Sequence, residues 1–348
     1  MSWTARTFTA TFHSRTAKVL TFVGKRYTPS PHIQDLNGVT LVFFHCAGSH
    51  KEAWEPMIDL LQCQLQELAS DRLVSIREAW SFDMPNHGEA ASLNGPTLEK
   101  GKAGLTVEEC SDGFKQFVSD DMLSGHKLVG IGHSLGASAL VLSTITTHLA
   151  GVVYDSMILV EPAIITRADY GAVDWQYTRC NRTDRERALK AMNTAISKRK
   201  DTWDTREEAR SFFLQRYPWK TWDVRVLDLF VRHGLRNVEL QDSGTASAVK
   251  LCCDKDNERR AYRQDEVYFD VVDRLQSLDP AVPVHLIFGQ REDVMPKYVY
   301  DSILGMRDYA SVQRVQNAGH FTLHENPNGL SAAIARILSD TVSPQAKL

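Results

Sequence analysis

A chain of 348 residues, 43% hydrophobic and 24% charged, can bury a sizeable core, and its length admits one large domain or a domain carrying an insertion. Its formal net charge of -3 is small and mixed in sign, which gives no global electrostatic case for nucleic acid or an anionic membrane surface. The cysteines Cys46, Cys63, Cys110, Cys180, Cys252 and Cys253 lack C-x-x-C spacing, so reduced intracellular thiols are expected in place of a disulfide frame or a zinc site; no apolar run approaches transmembrane length.

Residues 1–34 contain no acid and several Arg, Lys, Ser and Thr, a composition like that of a mitochondrial presequence. The period-two alternation of Thr7 to Phe12 and the β-rich run Val19 to Val23 instead predict two antiparallel strands that open a sheet. No signal-like apolar core stands near Met1. Val39 to His45 reads as a buried strand, Trp54 to Ala69 has helical apolar spacing, and Ser75 to Asp83 is a strand leading into the turn-forming cluster Asp83-Met84-Pro85-Asn86-His87-Gly88. Thr106 to Val118 reads as a helix.

Lys127 to Ala139 organises the rest. An apolar run (Leu128, Val129, Ile131) leads into Gly132-His133-Ser134-Leu135-Gly136, which fits G-x-S-x-G, and a helix-like stretch follows. A strand that turns sharply into a helix brings backbone against backbone, which requires the glycines, and it leaves the serine hydroxyl exposed on a strained elbow. Ser134 is the candidate nucleophile. Met157 to Val160 is a further strand, ending in Glu161-Pro162. Strands alternating with helices at this pitch predict an α/β fold, with a mostly parallel sheet carrying helices on both faces.

From Ile164 to Pro280 charge density rises, the periodicity becomes helical, and Tyr217-Pro218-Trp219-Lys220-Thr221-Trp222-Asp223 concentrates three aromatics. A helical cap over residues 164–280 is expected, flanked by core segments 1–163 and 281–348. The sheet pattern resumes with a strand at Val284 to Gly289, a helix at Lys297 to Met306, a last strand at Ser311 to Gln316 and a closing helix at Leu330 to Leu338.

A serine hydroxyl needs an adjacent base, usually a histidine held by a carboxylate. His320 follows the last strand on a Gly-preceded loop, and the order Ser, acid, His at successive strand ends favours it over His324. Three carboxylates stand at suitable strand ends: Glu161 after one strand, Glu292 and Asp293 after a later one. The residues alone leave the acid open. The N-H of Leu135, at a helix start, and that of Ala47, in the small-residue loop His45-Cys46-Ala47-Gly48-Ser49, are the expected oxyanion donors. Cys46 lacks an elbow and is set aside as a nucleophile.

On these motifs the chain from Val39 to Leu338 resembles an α/β-hydrolase. Asp83 to Gly88 resembles the family's D-x-x-x-H-G turn, and Cys46 stands where many members have a glycine. Tyr217 to Asp223, Val226 to Leu235 and the terminal Ala346-Lys347-Leu348 are similar to fungal peroxisomal hydrolases, which include a yeast peroxisomal lipase, enzymes of host-selective toxin pathways and mycophenolic acid acyl-CoA hydrolase. That acyl-CoA hydrolase takes its acid at the position matching Glu161; most of the superfamily takes it at the one matching Glu292. The resemblance implies hydrolysis of an acyl-CoA thioester or carboxylic ester, with no cofactor and no metal. It further implies a peroxisomal location, with the import receptor reading Ala346, Lys347 and Leu348. Arg179, Arg182, Arg185 and Arg187 are candidate contacts for CoA phosphates. An acyltransferase or cyclase using the same serine, and a non-catalytic metabolite-binding protein, are the competing classes.

Overall fold

Val39–Phe44 is apolar but for one threonine and buried at every position, as a strand covered on both faces must be. It lies inside a long sheet, with a parallel strand on either side. In the computed structural model, which describes residues 2–15, 18–30, 35–68, 74–99, 105–171, 181–239, 247–262 and 265–342, the strands in chain order are β1 (Ser2–His13), β2 (Val19–Ser30), β3 (Val39–Phe44), β4 (Ile76–Asp83), β5 (Lys127–His133) and β6 (Ser156–Val160). They continue with β7 (Thr202–Trp203), β8 (Leu235–Glu239), β9 (Ser247–Leu251), β10 (Val284–Gly289) and β11 (Ser311–Val315).

Eight of these form one sheet in the order β1-β2-β4-β3-β5-β6-β10-β11. The β1–β2 and β2–β4 pairs are antiparallel, and every pair from β4 across to β11 is parallel. The two opening strands expected near the N-terminus are β1 and β2, paired from Ser2↔Ser30 to His13↔Val19. Because β3, β4, β5, β6, β10 and β11 run the same way, the segments that leave their carboxyl ends share one rim, where ligands of such sheets bind. Two apolar layers cover the faces. One is built around Phe22, Phe44, Trp80, Phe82, Phe114 and Leu140, the other around Phe43, Trp54, Leu61, Ile131 and Leu330.

Local chemistry sets the helix ends. Thr106 Oγ1 accepts the Glu109 N-H and Glu109 returns its carboxylate to the Thr106 N-H, a capping box that starts the helix Val107–Phe117. The stretch Gly88–Glu99 is helical although it contains Asn94-Gly95-Pro96, which reads locally as a turn. Buried Asn94 explains this: its amide bonds the Thr21 N-H, the Thr21 carbonyl and the Pro85 carbonyl, tying the helix to β2.

The chain between β6 and β10 is an insertion into the sheet order. It is mostly helical, with helices such as Asn181–Lys198, Arg206–Phe213 and Val224–His233, but it also holds a separate three-stranded antiparallel sheet, β7-β9-β8, that the sequence pattern did not predict. Its own apolar centre gathers Trp203, Phe213, Trp219, Leu227 and Phe230. Its last helix, Asp265–Ser277, packs with Val271, Val272 and Leu275 into the main core instead. No helix among the described residues is long and apolar enough to cross a membrane. Ala346, Lys347 and Leu348 lie outside the described residues.

The elbow glycines answer to close approach. A Cβ on Gly136 would stand 2.3 Å from the Phe44 carbonyl oxygen, and one on Gly132 would stand 2.6 Å from Ala137 Cα. Those obstacles are backbone and cannot rotate away. Gly136→Ala is expected to destabilise the fold by about 3 kcal/mol, measured as a lower urea midpoint at unchanged slope; an unaltered midpoint would contradict the packing described.

Candidate active site

Ser134 sits between β5 and the helix Leu135–Ser143 with φ 52° and ψ -114°, a left-handed backbone that non-glycine residues rarely hold. Its N-H is tied to the Val160 carbonyl at 2.9 Å, so the neighbouring strand fixes the turn. His320 arrives on the loop after β11, with Nε2 3.1 Å from Ser134 Oγ. On the other side of the ring, His320 Nδ1 stands 3.1 Å from Glu161 Oε2. The hydroxyl, the imidazole and the carboxylate therefore form one line across three strand ends. Ser134 and His320 are each 6% exposed and Glu161 is fully buried.

The three carboxylates left open by sequence separate by position. Glu161 also has positive φ (47°), and its Oε1 accepts the Gly289 N-H at 2.6 Å while the Tyr300 hydroxyl donates to Oε2 at 3.2 Å. Burial, and then the Glu161 charge, push the Tyr300 phenol well above its ordinary value, keeping it a donor. Asp293 does not reach the ring; its Oδ1 accepts the backbone N-H of His320 at 3.0 Å, which fixes the loop. Glu292 faces outward, 3.4 Å from Arg314. A proton carried on His320 Nδ1 points at this carboxylate and leaves the Nε2 lone pair towards the serine hydroxyl.

Leu135 opens its helix, so its N-H has no acceptor within that helix. The other expected donor, Ala47, lies in the loop after β3, where Gly48 takes φ 75°. The Gly48 N-H is itself engaged by His87 Nε2 at 2.9 Å. Cys46 is buried, and burial pushes its thiol up to about 12, which removes the thiolate a nucleophile needs. His324 is engaged elsewhere, with Nε2 2.9 Å from Ser49 Oγ and its ring 4.2 Å from that of Trp222.

The aromatic segment of the insertion meets the loop that carries His320. Tyr217 and Trp222 approach Phe321 at 6.4 and 6.3 Å between ring centroids, and the Asp223 N-H bonds the His324 carbonyl at 2.7 Å. Further along, Glu258 comes within 3.3 Å of the place a Cβ on Gly48 would occupy, and Arg199 holds that carboxylate. Of the candidate phosphate contacts, Arg187 is exposed; Arg179 and the side chains of Arg182 and Arg185 lie outside the described residues.

Residues 41–333 match the Alpha/beta hydrolase family. The chain belongs to that family. Among alpha/beta hydrolases, the peroxisomal Lpx1 of Saccharomyces cerevisiae is similar in fold, with TM-score 0.73 at 16% identity over 99% of this chain and 92% of that one. The thioesterase domain from the curacin biosynthetic pathway is similar at TM-score 0.58 and 12% identity, over 96% of this chain and 99% of the domain. In sequence, the abhydrolase domain-containing protein AFT2-1 of Alternaria alternata is 29% identical over 119 residues, which is 33% of this chain and 37% of that protein. The chain thus matches little more than a third of that relative's length.

Two further residues of this alpha/beta hydrolase shape the site without being singled out by the sequence for that task. His87, within the D-x-x-x-H-G turn, donates from Nδ1 to Asn86 Oδ1 at 2.7 Å and so presents a lone pair to the Gly48 N-H. Burial holds its imidazole well below its ordinary value, so it stays neutral. The turn itself is built on buried Asp83, which accepts from the Lys51 N-H at 2.8 Å, Lys51 Nζ at 2.9 Å and the Glu89 N-H at 2.9 Å. His133 donates from Nε2 to the His320 carbonyl at 2.8 Å, bracing the loop that carries His320. The turn motif was the available signal for His87; nothing in the sequence marks His133 beyond its place beside Ser134. His87→Ala leaves a half-buried Gly48 N-H without its acceptor, a cost of about 1–3 kcal/mol. If that loop carries an oxyanion donor, kcat falls roughly tenfold or more with KM little changed; equal kcat in the variant would contradict the coupling.

Proposed function

We propose that this alpha/beta hydrolase is a serine hydrolase of acyl esters or acyl-CoA thioesters, with Ser134 as nucleophile, His320 as general base and Glu161 as the acid that orients it. The observation that carries the reading is the single line of contacts from Ser134 Oγ through both nitrogens of His320 to Glu161 Oε2, each 3.1 Å. Residues 164–280 act as the cap that closes the acyl site, a role favoured by their contacts with the loops at Phe321 and Gly48.

His320 Nε2 takes the Ser134 proton as the oxygen attacks the carbonyl carbon, and the imidazolium that forms is stabilised by the buried Glu161. The oxyanion rests on the N-H groups of Ala47 and Leu135, preorganised by the Gly48–His87 bond and by the helix start. Collapse of the tetrahedral species expels the alcohol or thiol, which takes the proton from Nε2. Water then enters and gives a proton to the same nitrogen as it attacks the acyl carbon; the second collapse releases the acid as Nε2 returns that proton to Ser134 Oγ. This chemistry calls for no cofactor.

Peroxisomal residence, with the import receptor engaging Ala346, Lys347 and Leu348, is part of the same proposal. It is supported by the tripeptide and by the fold likeness to the peroxisomal alpha-beta-hydrolase Lpx1. The purified protein, assayed on acyl-CoA thioesters of short, medium and long chain and on p-nitrophenyl esters, is expected to release free thiol or phenol from at least one class. Failure on every member of both classes would overturn the assignment.

A further inference from the structure

Just beneath the nucleophile elbow lies a second set of side chains that acyl transfer does not use. The Cys46 sulfur and one ring nitrogen from each of His133 and His324 lie within 4.8 Å of one another, and all three residues are buried. Both histidines have one nitrogen engaged, His133 Nε2 on the His320 carbonyl and His324 Nε2 on Ser49 Oγ, while the remaining nitrogen of each, Nδ1, has no hydrogen-bond partner. A buried polar atom without a partner requires an explanation, and two belong to the histidines of this one cluster. In ligating histidines the far nitrogen is anchored on a carbonyl or a hydroxyl in this way, and the near one is left free for the ion. Cys46 comes from the loop after β3, His133 from the end of β5 and His324 from the short helix Thr322–Glu325 beyond β11, which is why cysteine spacing in the sequence gives no sign of the cluster.

We propose that Cys46, His133 and His324 form a three-ligand site for a thiophilic divalent ion of the Zn2+ class, and that filling it suppresses turnover at Ser134. One sulfur and two imidazoles are the donor set that favours such an ion over Mg2+ or Ca2+, which take oxygen. Binding forms one metal–sulfur and two metal–nitrogen bonds. It releases the thiol proton to solvent, changes no oxidation state and leaves a fourth position for water. Metal–ligand bonds of about 2.0–2.3 Å set tetrahedral ligand atoms roughly 3.3–3.8 Å apart, so any pair standing towards the 4.8 Å limit of the cluster is drawn together on binding. Cys46 precedes Ala47 and His133 precedes Ser134, so this contraction shifts an oxyanion donor and the nucleophile at once. A misplacement of about 1 Å is worth on the order of 10²-fold in rate. The suppression, though not the binding, rests on the serine-hydrolase reading above.

The test uses the full-length protein stripped with a chelator and titrated with ZnCl2 in a calorimeter, with CoCl2 added in parallel for absorption spectroscopy. Wild type is expected to take up one equivalent of Zn2+ and, with Co2+, to give the near-ultraviolet thiolate-to-cobalt charge-transfer band. Cys46→Ser should weaken Zn2+ binding by about 100-fold or more and abolish the band, and Ser49→Ala, which removes only the anchor of His324, should weaken it roughly tenfold. On an acyl substrate, one equivalent of Zn2+ should lower turnover at least about tenfold, with recovery on adding the chelator. The absence of heat and of the cobalt band in wild type, as a trapped water satisfying both nitrogens would give, overturns the site. So does uptake by Cys46→Ser equal to wild type. Uptake with unchanged turnover overturns the suppression. Because uptake is read without a substrate, a protein that hydrolyses nothing would not be confused with one that binds no metal.

Discussion

Ser134→Ala is expected to lower turnover of any acyl substrate by on the order of 10⁵- to 10⁶-fold while leaving the fold intact. In the proposed mechanism the hydroxyl is the attacking atom, so its loss removes the covalent route and leaves only the activity that oxyanion donors and substrate binding supply. The side chain is 6% exposed and its only described side-chain partner is His320, so truncation leaves no buried charge and a small void. Thermal unfolding within a few degrees of wild type, together with loss of rate, is the result that follows. Substantial activity in the variant would assign the chemistry to another group.

Glu161→Gln is expected to cost about 10⁴-fold in kcat, far more than either neighbouring substitution. One carboxylate oxygen of Glu161 accepts the Gly289 N-H, which selects the carboxamide oxygen of the substituted side chain for that position. The amide NH2 then faces His320 Nδ1 and turns it into an acceptor. Its proton moves to Nε2, and the lone pair that should receive the serine proton is gone. Asp293→Asn keeps an acceptor for the His320 N-H and is expected to stay within about tenfold of wild type. Glu292→Gln removes only an exposed pairing with Arg314 and should fall within about twofold. Equal losses at Glu161 and Glu292 would contradict the arrangement.

The expectations that rested on local pattern and those that rested on long-range placement fared differently. Apolar runs and turn residues located β3, β4, β5, β6 and β10 because each is buried along nearly its whole length and carries its own signal, whereas β11 is an edge strand buried only at Val315. The elbow was legible because two glycines and a serine answer to one steric problem. Which of three acids faces the imidazole was not legible. That depends on β6 pairing with β10, so that Glu161 meets the Gly289 N-H, while Glu292 leaves the same rim towards solvent. The small sheet β7-β9-β8 escaped notice since β7 is two residues long and pairs with Val249 and Lys250, far along the chain. His87 and the Cys46, His133 and His324 cluster share that difficulty: their partners arrive from other strand ends.

The measurement that bears most directly on the whole account is active-site labelling with a fluorophosphonate, read by intact mass and peptide mapping. One phosphonyl adduct per chain on Ser134, abolished in Ser134→Ala and slowed at least about 10³-fold in His320→Ala, is the predicted result. An unlabelled wild-type protein, or an adduct carried by any residue other than Ser134, would contradict it.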